Sequence, residues 1–188
     1  MTKIMNQLKD VQPLRNKSEI ADLKWSLKKW CSERDYILFL IGINTGLRCG
    51  DILKLRTEDI LRMTKRQMKI KEGKTAKVRV IDFNNIYDEV KAYALTVSSE
   101  WLFPSRKGNE PITVTQAYRQ LNKAANMVDI ESIGTHTMRK TFGYHYYVRT
   151  KNIAMLQSIL NHSTPAITLK YIGYSEKEIS DSLKDFYL

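Results

Sequence analysis

Cysteine is nearly missing from this chain: its 188 residues hold two, Cys31 and Cys49, with no CxxC spacing. That excludes a disulfide framework as the source of stability and fits a reducing, cytoplasmic setting. Four prolines and eight glycines are too few and too scattered to mark a linker. With no internal repeat or low-complexity tract either, one domain with a real hydrophobic core is expected. Long apolar runs are missing too. The greasiest stretch, Tyr36 to Ile43, falls far short of the ~20 residues a membrane span needs and reads as a buried helix. The opening MTKIMNQLKD has no apolar segment of the kind a secretory signal carries. There is no P-loop or GxGxxG to cradle a nucleotide. His136 and His145 lie on one expected helix at a spacing that points them to opposite faces. With no cysteine or carboxylate cluster beside them, no metal site is expected.

What the chain has in excess is positive charge. Lys and Arg number 31 against 20 Asp and Glu, a formal net charge of +11. Apolar residues at 43% and charged residues at 27% are a globular balance rather than a disordered one. The excess favours a polyanionic partner, nucleic acid ahead of a membrane surface.

Apolar spacing predicts a mainly helical fold with a small antiparallel sheet, an α+β arrangement. Ile20, Leu23, Leu27 and Trp30 recur at helical intervals after Ser18, a candidate N-cap. Glu33 to Asn44 is apolar nearly all round and therefore central. Thr45-Gly46 breaks it, and Arg48 opens a short helix through Leu55. The period then changes. Met68 and Ile70 alternate with polar residues, as do Val78 and Val80, with Glu72-Gly73-Lys74-Thr75 between them, which predicts a β-hairpin with Lys74 at its turn. Helices follow over Ile86–Ala94, Val114–Val128, His136–Val148, Ile153–Leu160, Ala166–Ile172 and Glu176–Phe186.

Four segments carry chemistry: TGLRCGD (45–51), EGKTAK (72–77), HTMRK (136–140) and NHSTPAITLKY (161–171). They supply Arg48, Lys74, His136, Arg139, His162 and Tyr171, enough cations to surround one phosphate and a tyrosine to attack it. A fixed positive cage stabilises the charge that builds on phosphorus during displacement, and a tyrosine oxygen can form a covalent intermediate. His136 and Arg139, three apart on a helix, share a face. Taken singly each residue has a plainer reading: Arg48 as a salt bridge to Asp51 or Asp59, Lys74 as a solvated turn lysine, Tyr171 as one of 10 tyrosines.

Together these segments resemble the tyrosine recombinase (phage integrase) family, from about Asp22 to Glu176. TGLRCGD is similar to the family's TGLRxxE, with Asp51 where Glu is commoner. HTMRK is similar to its HxLRH/K box. NHSTPAITLKY is similar to LGHxSxxxTxxxY, with Asn161 for glycine. The resemblance implies a site-specific DNA recombinase of the integrase type that breaks and rejoins strands through a 3′-phosphotyrosyl intermediate, without metal, ATP or any other cofactor. In it Tyr171 is the nucleophile. Arg48, Arg139, His136 and His162 stabilise the transition state, Lys74 is the general acid with Lys77 as its competitor, and Asp51 is a supporting carboxylate. Tyr174 competes with Tyr171 but sits outside the register. Lys65, Arg66, Lys69, Lys77, Arg79 and Lys140 are candidate contacts to the DNA backbone.

The expected partners are double-stranded DNA, further copies of this chain as a dimer or tetramer on DNA, and accessory DNA-bending proteins; no membrane is expected. The expected setting is a bacterial or phage-encoded mobile element acting at the nucleoid. A type IB topoisomerase and a catalytically silent DNA-binding relic are the alternatives. The expected organisation is an N-terminal arm over 1–17, a catalytic domain over 18–175, and a tail helix over 176–188 that could be exchanged between protomers. The family's separate DNA-clamping N-terminal domain is not matched, as in short integrase-like invertases or in a truncated chain.

Overall fold

In the computed structural model the described residues are 11–73, 77–131, 133–174 and 184. Helix α2 (Glu33–Thr45) is the central post. Ser32 caps it, accepting from the Asp35 N–H at 3.3 Å, and Tyr36 to Ile41 are all buried. An apolar surface on every side leaves a helix no stable place but the interior. Helix α1 (Lys17–Trp30) packs on α2 through Leu23 and Leu27, both fully buried. It starts two residues earlier than Ser18 suggests, because Asn16 takes the N-cap position and its N–H donates to Glu19 Oε2 at 3.3 Å. Helix α6 (Val114–Asn126) closes the far side of α1, with Ser26 Oγ donating to the Ala124 carbonyl at 2.7 Å.

After α2 come the short helices α3 (Cys49–Ile52) and α4 (Thr57–Leu61). The second is one turn with no apolar period of its own, so the sequence pattern does not announce it. Strands β1 (Gln67–Lys71) and β2 (Val78–Asp82) then form an antiparallel hairpin. Its pairing corrects the expected pattern. Ile70 faces Arg79 and Met68 faces Ile81, and cross-strand partners share a face. Arg79 and Ile81 therefore turn inward, while Val78 and Val80 stand 62% and 58% exposed. The valines of β2 mark its outer side, because the inner side is needed for a charge.

Helix α5 (Tyr87–Ala94) follows the hairpin. Helix α7 (Thr135–Thr150) lies across α2. Gly42 makes that contact possible: a Cβ there would sit 2.7 Å from Met138 Sδ. Beyond α7, helices α8 (Ile153–Leu160) and α9 (Pro165–Tyr171) build a second, smaller core from Leu156, Leu160 and Ile172, with Phe142 and Tyr147 against it.

Residues 11–16 of the expected arm are irregular but fastened. Leu14 is buried in the main core, its N–H donates to Thr141 Oγ1 at 2.9 Å, and its carbonyl meets His145 Nε2 at 2.9 Å. The expected tail helix over 176–188, apart from Lys184, and the expected turn residue Lys74 fall outside the described residues. None of the helices among the described residues is long and apolar enough to cross a membrane.

Candidate active site

Helix α2 ends at Gly46 in the left-handed conformation, φ 64°, which glycine adopts without strain. The chain then turns so that Arg48 becomes the N-cap of α3. Its Nη1 donates to Glu72 Oε2 at 2.6 Å, and its side chain keeps 23% exposure. Glu72, just past the end of β1, is fully buried. Its other oxygen, Oε1, accepts from Arg79 Nη1 at 3.1 Å and lies 3.9 Å from Arg139 Nη1. Three guanidinium groups thus converge on one carboxylate. Burial alone would raise the Glu72 pKa. Hydrogen bonds from Arg48 and Arg79, with the charges of Arg48 and Arg139, outweigh it and hold the group below its ordinary value.

Arg139 is placed by α7 and held by backbone. It donates through Nη1 to the Gly46 carbonyl and through Nη2 to the Leu160 carbonyl at 2.7 Å, so it ties the end of α2 to the end of α8. Burial, then the repulsion of Arg48, brings its pKa down to about 10, which leaves it charged at neutral pH. A cleft of about 430 Å³ opens beside these groups, lined by Arg48, Cys49, Asp51, Lys54, Gly73, His136 and Arg139 among others. Burial pushes the Cys49 thiol up to about 12, so it brings no nucleophile. Asp51 Oδ1 accepts the Gly73 N–H at 2.9 Å and anchors the hairpin to α3.

Helix α9 delivers Tyr171. Thr164 caps α9, accepting from the Ile167 N–H at 3.2 Å, and Pro165 supplies its first turn. Tyr171 sits at the C-terminal end with its hydroxyl 3.5 Å from His136 Nδ1, on the first turn of α7. Its ring meets the His162 ring edge-on at 4.9 Å, and Lys140 Nζ lies 5.4 Å from its centroid. Burial raises the Tyr171 pKa, while the charges of Arg139 and Arg48 and a hydrogen bond from Arg139 pull against it. Tyr174 instead packs its ring against Tyr147, 5.1 Å away, and Tyr144, 6.0 Å away.

His162 follows Asn161, which ends α8 in the left-handed conformation at φ 51°. Its Nδ1 lies 3.1 Å from Thr168 Oγ1, whose own hydroxyl donates to the Thr164 carbonyl at 3.1 Å. With that proton committed, the Thr168 oxygen accepts from His162 Nδ1–H. In the neutral ring Nε2 is then an acceptor, and it donates only when the ring is charged. Burial, then Arg139 and Arg48, lower the His162 pKa.

Arg48, His136, Arg139, His162 and Tyr171 are thus brought together, although the last four come from α7, the connection between α8 and α9, and the end of α9. The expected DNA contacts divide. Lys65, Arg66, Lys69 and Lys77 are exposed, with Arg66 Nη2 paired to Asp88 at 3.1 Å and Lys77 Nζ bonded to Asn161 Oδ1. Arg79 and Lys140 do not stand on the outer surface. Arg79 is committed to Glu72 and to the Thr45 carbonyl at 3.4 Å, and Lys140 is buried beside Tyr171. Glu72 was not anticipated from the sequence. The signal was present, since Met68, Ile70 and Glu72 share one parity and Met68 and Ile70 face inward.

The phage integrase family model matches residues 15–178. The chain belongs to that family, the tyrosine recombinases. It is 44% identical to the probable integrase/recombinase YoeC of Bacillus subtilis (strain 168) over 94% of this chain and 97% of that protein. A tyrosine recombinase of Pseudothermotoga lettingae is 30% identical over 88% of this chain, which spans only 58% of that relative's length. Among solved structures, XerA recombinase superposes with TM-score 0.74 at 18% identity, covering 94% of this chain and 67% of that one. XerH bound to its palindromic difH substrate, in a post-cleavage complex, gives TM-score 0.71 at 22% identity over 94% and 54%. At those identities the superpositions speak to the fold, and the fold they share is the recombinase catalytic domain.

Proposed function

We propose that this recombinase cleaves and rejoins double-stranded DNA through a covalent 3′-phosphotyrosyl intermediate formed on Tyr171. The observation that carries the reading is the placement of the Tyr171 hydroxyl beside His136 Nδ1 and the Arg139 guanidinium, at the edge of a cationic cleft. The Tyr171 oxygen attacks phosphorus and its proton passes to His136. The bond from phosphorus to the 5′-oxygen breaks, and Lys74 protonates the departing oxygen. Charge gathering on the non-bridging oxygens is met by Arg48, Arg139 and the charged form of His162. Preorganised donors of this kind are worth about 10²–10³-fold each in acyl-transfer enzymes. The covalent link keeps the energy of the phosphodiester, so rejoining needs no ATP.

Protomers acting as a dimer or tetramer on DNA fit the same reading. XerH is described bound to difH, and a lambda integrase fragment is described as a dimer bound to a core site. The exposed lysines Lys65, Lys69 and Lys77 are the surface cations best placed to meet phosphates. Each neutralised phosphate steepens the salt dependence of binding by about one unit.

The test uses nicked suicide duplexes carrying the junction sequences at the ends of the element that encodes this chain, with products read on a denaturing gel. Wild type should trap a covalent adduct. Tyr171→Phe should bind the duplex and trap none, whereas Tyr174→Phe should still trap it. A phosphotyrosine mapped to residue 174 would overturn the assignment.

A further inference from the structure

Three arginines converging at a site meant for a phosphate face a difficulty before any phosphate arrives. Like charges repel, and the repulsion between neighbouring guanidinium groups grows where burial excludes water from between them. An empty cage would splay, and realigning it would add to the barrier of every cleavage event.

We propose that Glu72 is the positioning residue of this site, an internal anion that holds Arg48 aligned before DNA binds and fixes the hairpin against the cage. This rests on the reading of Arg48 and Arg139 as the groups that stabilise the transition state. Each carboxylate oxygen has its own arginine. Oε2 takes Arg48 at 2.6 Å and Oε1 takes Arg79 at 3.1 Å, with Arg139 3.9 Å from Oε1. Arg79 also reaches the Thr45 carbonyl at 3.4 Å, next to the Gly46 carbonyl that holds Arg139. The carboxylate therefore joins three things that must be in register: the end of α2, the arginine at the start of α3, and the hairpin.

The next residue, Gly73, is fastened through its N–H to Asp51 at 2.9 Å, and Lys74 comes directly after it. Glu72 and Asp51 together fix the chain from the end of β1 to Gly73, the residue that precedes Lys74 in sequence. One carboxylate against three guanidinium groups still leaves the site net positive, so a phosphate remains welcome. Arg79 has a role here that a DNA contact would not give it, that of neutralising the carboxylate from the side away from the cleft.

The two functions an anion could have at this place make opposite predictions. A positioning carboxylate speeds cleavage although its charge opposes DNA. A carboxylate that only occupies the phosphate position slows cleavage. The experiment is Glu72→Gln in the full chain, with duplex affinity by fluorescence anisotropy and single-turnover adduct formation at saturating suicide substrate. Wild type and Tyr171→Phe run alongside. If wild type traps no adduct, the proposed function fails before Glu72 enters the question.

With wild type active, Glu72→Gln should bind duplex a few-fold more tightly and form adduct roughly 10- to 100-fold more slowly, the scale of misplacing a catalytic group by about 1 Å. Tighter binding with unchanged or faster cleavage would overturn the proposal in favour of a mere occupant. Parallel loss of both, recovered on cooling, would overturn it in favour of a purely structural ion pair. Should Gln at this position not fold, Glu72→Asp keeps the charge but withdraws it by one methylene. It should leave affinity unchanged and slow cleavage, and unchanged cleavage in that variant would overturn the proposal.

Discussion

Arg48 and Arg139 are alike in the proposed chemistry and unlike in how the fold holds them, so neutralising each should separate catalysis from stability. Arg139 keeps only 3% of its side chain exposed and satisfies two backbone carbonyls, Gly46 and Leu160. Arg139→Met fills much of the same volume but leaves both oxygens without their donor. A buried acceptor stripped of its partner costs about 1–3 kcal/mol. Part of that is offset because the charge no longer has to be desolvated. A net loss of about 2–4 kcal/mol follows, and in a chain of this size each kcal/mol moves the melting midpoint by about 2–4 °C. The expected drop is therefore roughly 5–15 °C.

Arg48 differs on each count. It has 23% exposure and pairs with Glu72, and Arg79 on the same carboxylate keeps that group paired when Arg48 is gone. Arg48→Met should cost about 1 kcal/mol and lower the midpoint by about 2–4 °C. Cleavage should nevertheless fall by about 10²-fold or more in both variants, equivalent to about 2.7 kcal/mol of transition-state stabilisation. The assay pairs circular-dichroism melts with single-turnover cleavage well below both midpoints. Equal melting of the two variants would refute the claim that the carbonyl ties of Arg139 carry stability. Cleavage at the wild-type rate by either folded variant would refute its place in the cage.

Two further outcomes are expected. A bridging 5′-sulfur makes a leaving group that departs without protonation, so it should restore cleavage by Lys74→Ala but not by Arg139→Met, and rescue of Lys77→Ala instead would exchange the two lysines. For His162, the pKa lies below its unfolded value of about 6.5, so between the two values the unfolded chain binds more proton and stability falls as pH drops through that window. A bound phosphate raises that pKa again, so DNA affinity should tighten from about pH 7.5 to 6. His162→Phe should flatten the slope, and an unchanged slope in that variant would remove His162 from phosphate contact.

How much of this was legible in the sequence depends on which rule each segment obeys. Helices α5 and α6 follow apolar periodicity and bury Val90, Ala117 and Leu121 on the expected faces, while α2 is apolar all round and lies at the centre as expected. The motif residues were legible because their spacing is tied to helical geometry: His136 and Arg139 share the opening of α7, and Tyr171 lies at the end of the helix that begins soon after His162. The hairpin misled because its inner face carries Arg79 beside the apolar Met68, Ile70 and Ile81. Pattern reading assigns Val78 and Val80 to the core, but pairing with β1 sends Arg79 inward to meet Glu72. Arg79 and Lys140 look like surface cations in any count of charge. Only the fold shows that one neutralises a buried carboxylate and the other lies against the tyrosine ring.

These inward placements bear on how the net charge of +11 should be understood. Charge counted along a sequence treats every cation as available to a polyanion. Here at least three of the arginines face inward on a single carboxylate, and their effect on DNA is local and geometric rather than a general attraction. Salt should therefore act differently on the two populations. Exposed lysines such as Lys65 and Lys69 lose their grip on phosphates as ionic strength rises, because their field is screened over about 10 Å at 0.1 M. The Arg48–Glu72–Arg79 group is partly or wholly shielded from water and is screened much less. Binding should thus weaken steeply with salt while the cleavage rate of bound complex changes little.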